Sequence, residues 1–137
     1  MKCFLALSLL ISAATQPAAV RVDTAETDWS YLPPLKHRGY DHLSPMMMQR
    51  IYELATSGEC QLPGGTSRRI DLKLTFAAQF TEEGKLVRLV LPRLNCPEGE
   101  GVLGGMLLKM IEKGDYRPTG ANADGWYRGI LNFGYSS

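Results

Sequence analysis

Residues 69–81, RIDLKLTFAAQFT, decide the fold. Ile70, Leu72, Leu74, Phe76, Ala78 and Phe80 alternate with Asp71, Lys73, Thr75, Ala77, Gln79 and Thr81. Successive side chains of a strand point to opposite faces, so a period of two gathers the apolar set on one buried face. A helix would scatter the same residues around its axis. The opposite face, with Asp71, Lys73, Thr75, Gln79 and the later Arg88, is expected to meet water.

The segments on either side supply the cover. Glu82-Glu83-Gly84-Lys85 reads as a tight turn, with Gly84 free to take positive φ. Leu86 to Leu91 then returns as an antiparallel neighbour, expected to turn Val87, Leu89 and Leu91 to the core and Arg88 away, and Pro92 ends it. Ser44-Pro45 opens a helix as N-cap and N1, with Met47, Ile51 and Leu54 on one face and Gly58 as the stop. The three methionines 46–48 read as core filler on that face rather than as a soft-metal site.

Cys96-Pro97 opens a second helix. Glu98 and Glu100 stand near its positive end, and Lys109 and Lys113 near its negative end. Val102, Leu103, Met106, Leu107, Met110 and Ile111 form its apolar stripe, and Gly101, Gly104 and Gly105 suit close approach of helix to sheet. A long connection, residues 115–125, leads to a closing strand. There Tyr127, Leu131, Phe133 and Tyr135 share one face, and Trp126, Arg128, Ile130 and Asn132 the other. Together these elements predict a two-layer α+β sandwich, a three-stranded antiparallel sheet with two helices on one face, spanning residues 41–137.

The N-terminal part reads as an address label and a tether. Lys2 precedes an apolar run, Phe4 to Ala14, and Ser12-Ala13-Ala14 offers small residues for cleavage. Residues 1–14 are therefore expected to be a signal peptide, with cleavage as late as residue 19 as the fallback. Eleven apolar residues fall short of the roughly 20 that span a bilayer, so the mature chain is expected to be membrane-peripheral at most. Residues 15–40 read as a tether that becomes ordered near Trp29–Leu35, where Trp29, Tyr31, Leu32 and Leu35 are too apolar to stay in water.

Composition excludes some partners and restricts the chemistry. The chain of 137 residues holds 15 basic and 14 acidic residues. Removing residues 1–14 takes Lys2 and no acid, so the remainder is near neutral and carries no basic arm, which argues against nucleic acid as the partner. Cys60 and Cys96 are the pair left after cleavage. In an exported chain an even pair reads as a disulfide, two buried free thiols being the alternative. Two cysteines with no neighbouring ligand do not fill a metal site. A hydrolase needs a nucleophile, a base and an orienting group. His37 and His42 are the available bases and read as loop residues, so no catalytic residue, cofactor or metal is expected. Gly64-Gly65 lacks the Lys-Ser/Thr of a phosphate cradle.

The strand-turn-strand ending EEGKLVRLVL, the helix GVLGGMLLKMIEKGDYRP with its aromatic-x-Pro, and the closing strand GWYRGILNFGY resemble the TonB C-terminal domain family, with its TolA-like relatives, over about residues 68–135. The resemblance implies a periplasmic protein-binding domain linked to outer-membrane transport, whose last strand pairs with a partner's extended segment. By that analogy the partner-facing edge is Trp126, Tyr127, Arg128, Gly129, Ile130, Leu131, Asn132 and Phe133. The partner would be a segment of an outer-membrane receptor or transporter, or a second copy of this chain. A spacer of about 25 residues cannot cross a periplasm at about 3.3 Å per residue. The expectation is thus a free-standing periplasmic or secreted binding module rather than an energy transducer. The alternatives are a structural or inhibitor-like secreted domain and, further off, a small secreted hydrolase.

Overall fold

The computed structural model describes residues 19–38, 44–58, 60 and 69–136. The expected signal peptide, His42 and Gly64-Gly65 lie outside the described residues. The elements run β1 (Arg21–Thr24), β2 (Lys36–His37), α1 (Pro45–Thr56), β3 (Arg69–Phe80), β4 (Leu86–Leu91), α2 (Pro97–Glu112), β5 (Tyr116–Arg117) and β6 (Trp126–Ser136). The architecture is α+β, as expected.

The main sheet departs from the expectation of three antiparallel strands. It has four strands in the order β1-β4-β3-β6, and it is mixed because β1 runs parallel to β4. A second, two-stranded sheet joins β2 to β5. The missing strand comes from the stretch read as a tether. Arg21-Val22-Asp23-Thr24 is too short for its alternation to stand out in the sequence, and its pairing with Arg88–Leu91 is a long-range event.

The central strand behaves as its alternation requires. Leu72, Leu74, Phe76, Ala78 and Phe80 are all buried. They form one core with Leu89 and Leu91 from β4, Ile51 and Leu54 from α1, the α2 stripe, and Tyr116, Tyr127 and Leu131. α2 lies close on this core. A Cβ on Gly104 would stand 3.3 Å from both Leu91 Cδ1 and Val22 Cγ1, so the helix backbone approaches the sheet at that glycine. Gly101 and Gly105 face open space instead.

Both helices start as their caps dictate. Met47 N–H donates to Ser44 Oγ at 3.2 Å, and Gly99 N–H donates to Cys96 Sγ at 3.4 Å. Each carries proline in its first turn, where the absent N–H leaves no helical bond unmade. Arg50 pairs with Glu53 at 3.1 Å and also with Glu98, which ties α1 to the start of α2. Cys60 and Cys96 stand at disulfide distance, with Cα atoms 5.3 Å apart, beside the N-cap of α2.

Three finer expectations change. Val87 does not face the core. Phe80 pairs with Leu86 while Gln79 pairs with Arg88, so Val87 is the extra residue of a bulge, and Leu86 packs on the core in its place. Met46 is 84% exposed and is not core filler, although Met47 packs on the core. The outer face of the sheet is not wholly in water. Trp29 and Leu32 cover Ala77 and Val90, with Ala25 and Trp126 alongside, as a second apolar cluster. Docking of Trp29, Tyr31, Leu32 and Leu35 on the domain is expected from their apolarity; Trp29, Leu32 and Leu35 are buried, whereas Tyr31 is 74% exposed.

Candidate functional site

The closing strand β6 lies at the end of the main sheet and pairs with β3 from Gln79↔Trp126 to Arg69↔Ser136. Tyr127 and Leu131 face the core, and a half-buried Trp126 lies under Arg88, whose guanidinium carbon stands 5.4 Å from the ring. Gly129 sits beneath Phe76, where a Cβ would fall 2.2 Å from the ring Cζ. Ile130 is 43% exposed and Asn132 is exposed; the side chain of Phe133 lies outside the described residues.

The outer edge of β6 already meets its own chain over part of the predicted partner stretch. Leu35 N–H donates to Arg128 C=O at 2.7 Å, and Arg128 N–H donates to Pro33 C=O at 3.0 Å. Pro34 thereby bridges Arg128 in parallel. Arg128 Nη1 donates to Leu32 C=O at 3.4 Å, and the Tyr116 hydroxyl donates to Ile130 C=O at 2.9 Å. A strap, residues 25–38, thus crosses the outer face, takes the edge at Arg128 and continues into β2. His37 of the strap stacks on Tyr116, with ring centroids 4.5 Å apart.

The other side of β3 is less covered. β4 pairs with β3 only from Ala77↔Val90 to Phe80↔Leu86. Arg128 turns its main-chain groups outward, so Ala77 opposite it turns its own toward β4, and Thr75 and Lys73 do the same at steps of two. Continuing the register would set Pro92 against Thr75, and proline has no N–H to donate. The next donor in line, Leu94 N–H, bonds instead to Glu100 Oε1 at 3.0 Å. Among the described residues no main-chain hydrogen bond reaches Lys73 or Thr75 from this side.

No family model, curated protein or solved structure matches this chain. The resemblance to the TonB C-terminal domain family therefore gains no support from comparison.

Where β4 departs, a cleft of about 530 Å³ opens between β3, the Pro92–Leu94 segment and the strap. Lys73, Arg93 and Arg128 line it, with Trp29 and Ile130 as apolar walls and Asp28 as the one acid among its described lining residues. The backbone N–H of Ser30 donates to Asp28 Oδ1 at 2.9 Å, and this bond holds the Asp28 carboxyl below its ordinary range. The three cations make no ion pair with any described residue. A larger hollow of about 700 Å³ lies at the opposite end of the sheet, between the Thr81–Gly84 turn and the Pro118–Gly125 connection. Its charged lining is acidic, Glu82, Glu83 and Asp124.

Sequence reading had Lys73 on the outer face and Arg128 as a lone charge on the last strand. It did not connect either with Arg93. The available signal was that Lys73 and Arg128 each fall in the outward-facing set of their own strand, together with a proline that ends β4 early. Among the described residues no three His, Cys, Asp or Glu side chains converge as a metal site would require. No helix among them is long and apolar enough to cross a membrane.

Proposed function

We propose that this chain is an exported protein-binding module that captures an extended segment of a partner by strand addition. The observation that carries the reading is the open main-chain edge of β3 at Lys73 and Thr75, left where β4 stops at Pro92. Strand addition satisfies such an edge with alternating N–H and C=O groups, and the flanking side chains select the partner. The pairing is placed on β3 because the outer edge of β6 at Arg128 and Ile130 already bonds to the strap and to Tyr116. The Cys60–Cys96 pair supports an oxidising destination, periplasmic or secreted.

The test is selection of binders from a random peptide display library against the oxidised domain, followed by amide exchange. Bound peptides are expected to slow exchange at Lys73 and Thr75. Thr75→Pro removes an N–H that makes no main-chain bond among the described residues, so that variant should keep its circular dichroism spectrum while losing the peptides. Peptides that bind the proline variant equally well and protect other amides would refute the reading.

A further inference from the structure

Beside the open edge lie three cations without a carboxylate partner among the described residues, of which Arg128 also donates to Leu32 C=O. Lys73 and Arg93 are exposed, Arg128 is half-buried, and none of them is ion-paired to a described residue. By contrast, Arg21 and Arg88 on the outer face are engaged: both meet Asp23, at 2.9 and 3.3 Å. The chain as a whole is close to neutral, +1 over all its residues, so this grouping is local. The one acid among the cleft's described lining residues, Asp28, is held by the Ser30 N–H.

We infer that the cleft selects an acidic extended peptide, its carboxylates meeting Lys73, Arg93 and Arg128 while its backbone pairs with the β3 edge. The inference rests on strand addition as the mode of capture and adds the chemical class of the partner. A peptide is favoured over a nucleic acid because the edge presents both N–H donors and C=O acceptors. A polyphosphate backbone accepts hydrogen bonds and donates none, so it would leave the carbonyls of Lys73 and Thr75 unanswered. Complementary charge of this kind acts mainly on selectivity and encounter rate and weakens with salt.

The experiment titrates the oxidised protein with three synthetic octapeptides of alternating pattern. They are identical except that the charged positions hold glutamate, glutamine or lysine. About a tenfold preference for the glutamate peptide over the glutamine one is expected. The preference should shrink on raising the salt. Lys73→Gln combined with Arg93→Gln should erase most of it, and should leave the affinity of the glutamine peptide unchanged. Amide exchange at Lys73 and Thr75 reads the strand pairing separately. Equal affinity for the glutamate and glutamine peptides, with both amides protected, overturns the charge selection and leaves strand addition standing. No amide protection by any of the three overturns both. Inorganic phosphate or oligothymidylate binding as tightly as the glutamate peptide would assign the cleft to anions or nucleic acid, and would overturn the proposal.

Discussion

Gly129 shows how one residue can answer to another far along the chain. Phe76 lies opposite it across the β3–β6 pair, and its ring occupies the space a Cβ would need. Gly129→Ala is therefore expected to destabilise the domain by about 1–3 kcal/mol, the usual range for overpacking a filled site. Urea unfolding of the alanine variant, of Phe76→Leu and of the double variant checks this. Removing the ring end should relieve the clash, so the double variant should lose less than the sum of the singles. Strict additivity would mean that the two positions do not press on each other. From sequence, Gly129 was visible only as a gap in an apolar face. The ring that fills the gap lies 53 positions earlier, and only the β3–β6 register brings the two together.

At the scale of elements, strands and helices with a strong pattern formed where their residues required. α1 and α2 are capped by Ser44 and Cys96, and β3 buries Leu72, Leu74, Phe76, Ala78 and Phe80. Weakly patterned segments were harder. β1 is four residues long and β2 and β5 are two each, and such pieces exist through pairing rather than propensity. The strap matters most among them. Trp29 is 7% exposed and seals Ala77 and Val90, which would otherwise be apolar residues on an open face. Trp29→Ala is expected to cost about 3 kcal/mol, measured by urea unfolding. Loss of this cover should also speed amide exchange at Arg128, whose N–H bonds to the strap. A loss below about 0.5 kcal/mol, the range of neutral surface changes, would mean that the strap lies outside the cooperative unit.

For the whole molecule, the cysteine pair joins segments 36 positions apart and meets at the start of α2. In the chain-entropy account a cross-link of that span stabilises by about 4 kcal/mol, chiefly by restricting the unfolded chain. Replacing both cysteines with alanine is expected to lower the unfolding free energy by about that amount and leave the folded spectrum unchanged. An equal midpoint for the oxidised protein and the double variant would show that the cross-link contributes nothing. The same bond bears on the candidate site, because Cys96 holds the chain just after the Pro92–Leu94 wall of the cleft. Loss of the pair should therefore weaken peptide capture as well as stability.

The residues alone determined the α+β class, the buried face of β3, the return strand and both helix starts, and they marked Cys60 and Cys96 as the candidate pair that the structure brings to disulfide distance. Each follows from local periodicity, capping chemistry or cysteine count, quantities that need no knowledge of the rest of the chain. Only the tertiary structure decided that the N-terminal stretch adds a fourth, parallel strand and a strap, that a bulge turns Val87 outward, and that Lys73, Arg93 and Arg128 share one cleft. These depend on register between distant segments. A register is fixed by the summed packing of many side chains and leaves no mark in any short window of sequence.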